Sequence, residues 1–169
     1  MKPFISYFST SLNKVGEEIC GDQVRILRSP GQTRLVLSDG MGSGIKAGIL
    51  STLTAEIFTR MLHRNAPLVD VVETVIQTLP LDPIQKVAYA TFSIVEVDQT
   101  NLSFQVFNFG NPEVLLFRQG KRLGLDWIPI EAAGKKILLA HGTLEMGEFL
   151  LLLSDGVVGA GPGAVINRY

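Results

Sequence analysis

Three aspartates stand where this chain could do chemistry. They are Asp22 in "ICGD", Asp39 in "LVLSDGMGSGIKAG" and Asp155 in "LLLLSDGVVGAG". The last two each follow an apolar run and share the tripeptide Ser-Asp-Gly. Burying a carboxylate is costly unless something neutralises it. If the three converge, their mutual repulsion forbids full ionisation without a compensating cation. Hard divalent ions such as Mg2+ or Mn2+ take oxygen ligands and retain water. Two such ions about 4 Å apart could share a carboxylate and activate a bridging water. Gly40 would let its own carbonyl approach a ligand closely. Gly42 and Gly44 would leave room for a substrate or for the sharp start of a helix. The plainer alternative is that Asp-Gly is a turn and both copies merely end strands. Taken singly, each copy favours the turn, and the echo narrows that preference without reversing it.

Other motifs fit less well. "GMGSGI" departs from the dinucleotide G-x-G-x-x-G, and Asp39 would repel a pyrophosphate. Lys46 lacks the Gly-Lys-Ser/Thr context of a P-loop. Cys20 and Arg25 fall one residue short of a C-x5-R phosphatase loop, and Asp22 inside that loop would repel phosphate. Cys20 reads as a small packing residue. His63 falls near a helix C-terminus, His141 in "AHGT" reads as a turn residue, and G-x-S-x-G is absent.

Aspartates can meet only if a fold brings them together. The 169 residues are enough for one domain with a substantial core. Hydrophobic residues make up 46% and charged residues 18%, which points to a folded globule. A formal net charge of -1 gives no basic footprint for nucleic acid, and no Lys/Arg run offers a membrane anchor. The single cysteine excludes an internal disulfide and a cysteine-rich zinc module. No continuous apolar leader opens the sequence, and no stretch reaches the roughly 18 apolar residues of a membrane span. These features lead us to expect a soluble, cytoplasmic protein.

The positioning elements follow from periodicity. "FISYFSTS" has strand composition, and "QVRILRS" and "TRLVLS" form a hairpin around "PGQ". Residues 43–64 change to helical period. Ile45, Ile49, Leu53, Ile57 and Met61 recur every four residues, with Leu50, Phe58 and Leu62 beside them, as one apolar face. Glu56 and Arg60 can pair on that helix. A second helix runs between Pro67 and Pro80, with Leu68, Val71, Val72, Val75, Ile76 and Leu79 on one face. After Pro83 the pattern is β-rich: "VAYATFSIVEVD", "LSFQVFNFG", "EVLLFRQG", "KKILLA" and "EFLLLLSDG", with turns at 98–101 and 119–120. Two helices between an early and a late set of strands predict an α+β layered domain with antiparallel sheet. The pattern leaves open whether there is one sheet or two.

The ordered set "ICGD", "LSDGMGSG" before a helix, "YATFSIVEVD", "FNFGNPEVLLF" and "LLLLSDG" resembles the metal-dependent serine/threonine protein phosphatases of the type-2C (PPM) class. The likeness covers nearly the whole chain and is greatest to the SpoIIE-like branch, among its stressosome feedback phosphatases. D-G-x-G-x-G at a strand-helix junction is its most specific piece. The resemblance implies a four-layer α-β-β-α sandwich of two antiparallel sheets flanked by helices, with two Mn2+ or Mg2+ ions at one end. It implies that Asp39 bridges the metals, that the Gly40 carbonyl binds one, that Asp155 holds the other, and that Asp22 joins directly or through water. It further implies a metal-activated water attacking a phosphoserine or phosphothreonine ester, with phosphorylated STAS-domain stressosome proteins as partners in negative feedback.

One feature departs from the family pattern, which places another aspartate on a strand after the second Asp-Gly. Only "VVGAGPGAVINRY" follows Gly156, with no Asp or Glu. Two expectations follow: a single domain over 1–169 lacking its last strand, or a weakened second metal. The alternative function is a catalytically inactive phosphatase-like domain that binds a phosphoprotein. The resemblance also suggests that the helix after Gly44, lightly packed at its glycine-rich start and anchored from Ile49 to Leu62, couples partner binding to metal capture.

Overall fold

The computed structural model describes residues 3–79 and 90–159. Strands β1 (Asp22–Ser29) and β2 (Gln32–Gly40) form the expected hairpin across Pro30 and Gly31. Gly31 has φ 81°, which suits the third position of a type II turn and explains Pro-Gly there. Helix α1 (Gly44–His63) and helix α2 (Leu68–Thr78) follow, and β3 (Ala90–Asp98) returns to pair with β2. Then come β4 (Ser103–Phe109), β5 (Leu115–Arg118), β6 (Lys121–Leu123), β7 (Ile128–Ala132), β8 (Lys135–Thr143), β9 (Phe149–Leu151) and the one-turn helix α3 (Asp155–Val158). The strands form a six-stranded sheet in the order β1-β2-β3-β4-β8-β7 and a three-stranded sheet in the order β6-β5-β9, with every strand pair antiparallel.

Strand alternation sorts the core into two layers. Val36, Ile94 and Phe107 share one face of the large sheet and pack against Phe58 and Leu62 of α1 and Val71, Val72 and Val75 of α2. Phe58 meets Phe92 edge-on at 4.8 Å between ring centroids. The opposite face carries Val95, Val97, Phe104 and Val106, which pack on Val114 and Leu150 from the small sheet and its approach. Two antiparallel sheets flanked by helices are therefore present. Among the described residues both long helices lie on the large sheet. No helix there is long and apolar enough to cross a membrane.

Several sequence expectations need correcting. Residues 4–11 carry no strand, and Phe4, Tyr7 and Phe8 are exposed. Instead Arg28 lies over the Phe4 and Tyr7 rings and donates to the Ile5 carbonyl. Strand β7 lies outside the expected set because the proline in "IPIEA" hides it, and it sits at the sheet edge, where proline is tolerated. His141 lies within β8, opposite Gln105. The run before Asp155 is not one long buried strand. Only Phe149–Leu151 pair, with Phe149 and Leu151 facing outward. Pro80 and Pro83 lie outside the described residues.

Helix α1 exists where expected, but its buried face differs. Ile45, Ile49 and Leu53 are exposed, whereas Ala47, Gly48, Ser51, Thr54, Ala55, Phe58 and Leu62 are buried. A strict four-residue repeat advances about 40° per step around a helix of 3.6 residues per turn. The apolar stripe therefore winds from solvent at Ile45 to the core at Met61, which packs against the Phe58 cluster. Small residues face the sheet because the helix comes very close to it. A Cβ on Gly40 would collide with the Ala47 carbonyl, and one on Gly48 would press on Ile19 and the Cys20 carbonyl. The start of α1 is thus tightly rather than lightly packed. The expected Glu56–Arg60 pair forms at 3.7 Å, and Glu56 also meets Arg25 at 3.5 Å.

Candidate metal centre

Hairpin register places the first two aspartates together. Asp22 opens β1, Asp39 nearly closes β2, and the two sit directly opposite on one rung. Both point to the inter-sheet side, because alternate residues on the same strands, Val36 and Leu27, belong to the helix-side core. Like charges facing each other across a rung destabilise a sheet. Nothing in the hairpin alone accounts for this pair.

Asp155 arrives differently. It starts α3 four residues beyond the end of β9 and is itself exposed. Ser154, buried beside it, donates a hydrogen bond to Asp22 Oδ2 at 2.7 Å. Sequence reading missed Ser154. The repeated Ser-Asp-Gly was the available signal, but the two serines act differently. Ser38 faces the helix side and donates to the Thr91 carbonyl at 3.4 Å.

The surroundings of Asp39 disfavour its charged form. Burial pushes its carboxyl up to about 8, aided by the charges of Asp22 and Asp155, while the Asp155 backbone N–H offsets part of this. Among the described residues no lysine, arginine or histidine forms an ion pair with Asp22, Asp39 or Asp155. An oxygen-only donor set with uncompensated charge fits a hard divalent ion. The assembly is looser than expected in one respect. Among the described residues no three His, Cys, Asp or Glu side chains gather closely enough to hold an ion between them. Asp22 and Asp39 form the facing pair, and Asp155 acts on Asp39 through its charge and its backbone N–H.

The glycine of the first Asp-Gly has a second use. Gly40 N donates to the Gly21 carbonyl at 3.2 Å, and its bare Cα lies against Ala47. The close approach demanded of this glycine is therefore to helix α1, not only to a ligand. The following loop turns through Gly42 at φ 97° and Gly44 at φ 66°, both in the left-handed region. Glu17 reaches over Gly44 and accepts a 2.7 Å hydrogen bond from Ser43 Oγ, placing an anion at a helix start that has no acidic residue of its own.

The remaining candidates fall away from reaction chemistry. Burial pushes the Cys20 thiol up, and its sulfur accepts from the Asp22 N–H at 3.4 Å, so it is not an activated thiolate. Arg25 lies on the helix side of β1, bonded to Gln23 and Glu56, on the opposite face from Asp22. A groove of about 560 Å3 along α1, lined by Ile19, Ile45, Ile49 and Leu53, does not include the aspartates.

Residues 29–167 match the family described as Stage II sporulation protein E (SpoIIE). That span contains Asp39 and Asp155 and begins after Asp22. Among solved structures, the chain is similar to RsbX in complex with magnesium, at 24% identity over 86% of this chain and 71% of that one, with TM-score 0.66. It is similar to a structure described under the bacterial stressosome, a modular system adapted to control secondary messenger signalling. That likeness has 23% identity over 89% of this chain and 77% of the other, with TM-score 0.68. It also matches the PP2C phosphatase domain, with a fragment of the regulatory domain, of SpoIIE from Bacillus subtilis. There the identity is 21%, over 86% of this chain and 44% of the other, with TM-score 0.72. No curated protein matches. At these identities the structural likeness establishes a shared fold.

Proposed function

The chain belongs to the SpoIIE family and has the fold of PP2C phosphatase domains, and from that premise we propose that it is a metal-dependent protein phosphatase. It would hydrolyse phosphoserine or phosphothreonine on a signalling partner. The observation that carries this reading is the Asp22–Asp39 rung, two facing carboxylates, both half-buried, with no basic partner among the described residues.

Asp39 and Asp22 would hold Mn2+ or Mg2+, with the Gly40 carbonyl and Asp155 as further oxygen donors. A bound ion of this kind supplies an acidified water and neutralises phosphoryl charge. The chain's own part is placement. The β1–β2 register fixes the two carboxylates, Ser154 steers Asp22, and the contact of Gly40 on Ala47 ties Asp39 to the first turn of α1. Asp39 must lose its proton to serve as a ligand, so pH and metal compete for the same group. The structural likeness to RsbX and to the stressosome structure is consistent with a phosphoprotein partner, and the sequence resemblance adds phosphorylated STAS-domain proteins as the substrate class, acting in negative feedback.

A second reading is favoured by one observation, the absence of three gathered ligands among the described residues. On that reading the domain binds a phosphoprotein without turning it over. Phosphate release from a phosphoserine STAS-domain protein, measured with Mn2+ and with chelator, separates the two. The phosphatase reading expects Mn2+-dependent release that chelator abolishes. Tight binding of the phosphoprotein without release in saturating Mn2+ would establish the binding module instead.

A further inference from the structure

Behind the Asp22–Asp39 rung lies a chain of buried hydrogen bonds that the phosphatase reading does not use. Asn108 of β4 is 2% exposed and donates through Nδ2 to the carbonyls of Asn111 at 2.9 Å and Pro112 at 3.2 Å. Ser93 of β3, fully buried, donates to Asn108 Oδ1 at 2.6 Å. Asn111 Nδ2 donates to Ser93 Oγ at 3.1 Å. The Thr91 hydroxyl donates to Asn111 Oδ1. The donors run in one direction, from Thr91 back to the loop at 111–112.

The last member matters most. Thr91 is the β3 residue directly opposite Asp39, on the same side of the sheet. Side chains on such a rung have Cβ atoms about 4.5–5.5 Å apart. The one Thr91 hydroxyl hydrogen is committed to Asn111, so its oxygen can only accept. Its methyl is held from the other side. Gly110 has φ 76° and its bare Cα rests against Thr91 Cγ2, where any Cβ would collide. Methyl and hydroxyl are thus both fixed, and one rotamer is imposed on the neighbour of Asp39.

We infer that Thr91 is a positioning residue of the metal centre, whose locked hydroxyl oxygen accepts a hydrogen bond from water bound to a divalent cation at Asp39. This rests on the cation site proposed above, and it adds a specific acceptor to it. A water on a divalent ion is a strengthened donor, and a fixed acceptor beside the ligand orients it. Ser93, Asn108 and Asn111 then serve to keep that acceptor from rotating away. Thr91 and the Gly110-Asn111 pair then act as one device.

Mn2+ titration calorimetry on metal-free protein tests this without reference to turnover. Thr91→Val keeps the shape and removes the oxygen. We expect Mn2+ affinity to fall about 10-fold, the lower end of the loss seen for outer partners of metal ligands. Thr91→Ser, which keeps the hydroxyl, should stay within about twofold of wild type. Thr91→Ala, a second variant without the hydroxyl, should follow Thr91→Val, with circular dichroism confirming the fold of each. Wild-type affinity in both Val and Ala variants overturns the inference. So does an equal loss in the Ser variant, which would assign the effect to packing. A wild type that binds Mn2+ but releases no phosphate defeats the phosphatase reading alone. A wild type that binds no Mn2+ overturns the role given to Thr91 as well.

Discussion

Strand β2 carries charge at both ends and treats it in opposite ways. Near the start of β2, Arg34 faces Glu96 across the rung, with Nε–Oε2 at 2.5 Å and side chains 9% and 14% exposed. Gln32 and Gln105 complete that cluster, accepting from Arg34 and donating to Glu96. Every charge there is answered from within the chain. At the other end Asp39 faces Asp22, with no basic side chain paired to either among the described residues. The same sheet thus shows how this chain neutralises a buried charge when it means to, and that it does not do so at Asp39. The first end is a structural ion pair, and the second is a carboxylate pair with no basic partner among the described residues.

The sharpest way to break this contrast is Asp39→Asn. It keeps the volume and removes the charge. Turnover should fall by more than about 100-fold, beyond the loss expected for a supporting partner, while circular dichroism stays native. Near wild-type phosphate release would make Asp39 a strand end and nothing more. Glu96→Ala should do the reverse. Leaving Arg34 buried and unpaired should cost about 3–5 kcal/mol in denaturant unfolding, with Mn2+ affinity unchanged in calorimetry. A change in Mn2+ affinity there would join the two ends and erase the distinction.

The pH dependence of the metal-free protein should carry the sign of Asp39. Its folded-state carboxyl is raised to about 8 from an unfolded value of 3.8, through burial first and the Asp22 and Asp155 charges next. The native state then holds a proton that the unfolded chain has released, so stability falls as pH rises between those values. Melting temperature in chelator should decline from about pH 4 to about pH 8, Asp39→Asn should flatten that slope, and Mn2+ should reverse it at the alkaline end. An equally steep decline in Asp39→Asn would place the titrating group elsewhere. The smallest effect belongs to the outer stripe of α1. Ile49, 62% exposed, should tolerate Ile49→Ser within about 0.5 kcal/mol. A larger loss in thermal unfolding of the isolated chain would restore the apolar face that periodicity suggested.

How much of this was legible depended on whether a signal was local. The β1–β2 hairpin could be read because Pro30 and Gly31 mark its turn, and α2 because its apolar face follows helical period and is buried throughout. Asp39 could be singled out because an apolar strand leads straight into Asp-Gly. The side of α1 that is buried could not, since it depends on how closely the helix approaches Gly40 across the sheet junction. Asp155 comes near enough for its charge to act on the Asp39 carboxyl, and it gets there through a short loop and one helical turn rather than a buried strand. Ser154 and the Thr91–Asn111 relay are contacts between residues far apart in sequence, 132 and 20 positions respectively, which no local pattern announces.

The central claim is that the Asp22–Asp39 rung is completed by a divalent cation, and anomalous scattering tests it most directly. Crystals grown near pH 8 with saturating Mn2+ should show a manganese peak in contact with the Asp22 and Asp39 carboxylates. The same peak should be lost in Asp39→Asn. A carboxylate pair without manganese under those conditions, or a peak bound elsewhere and indifferent to Asp39→Asn, would contradict the account.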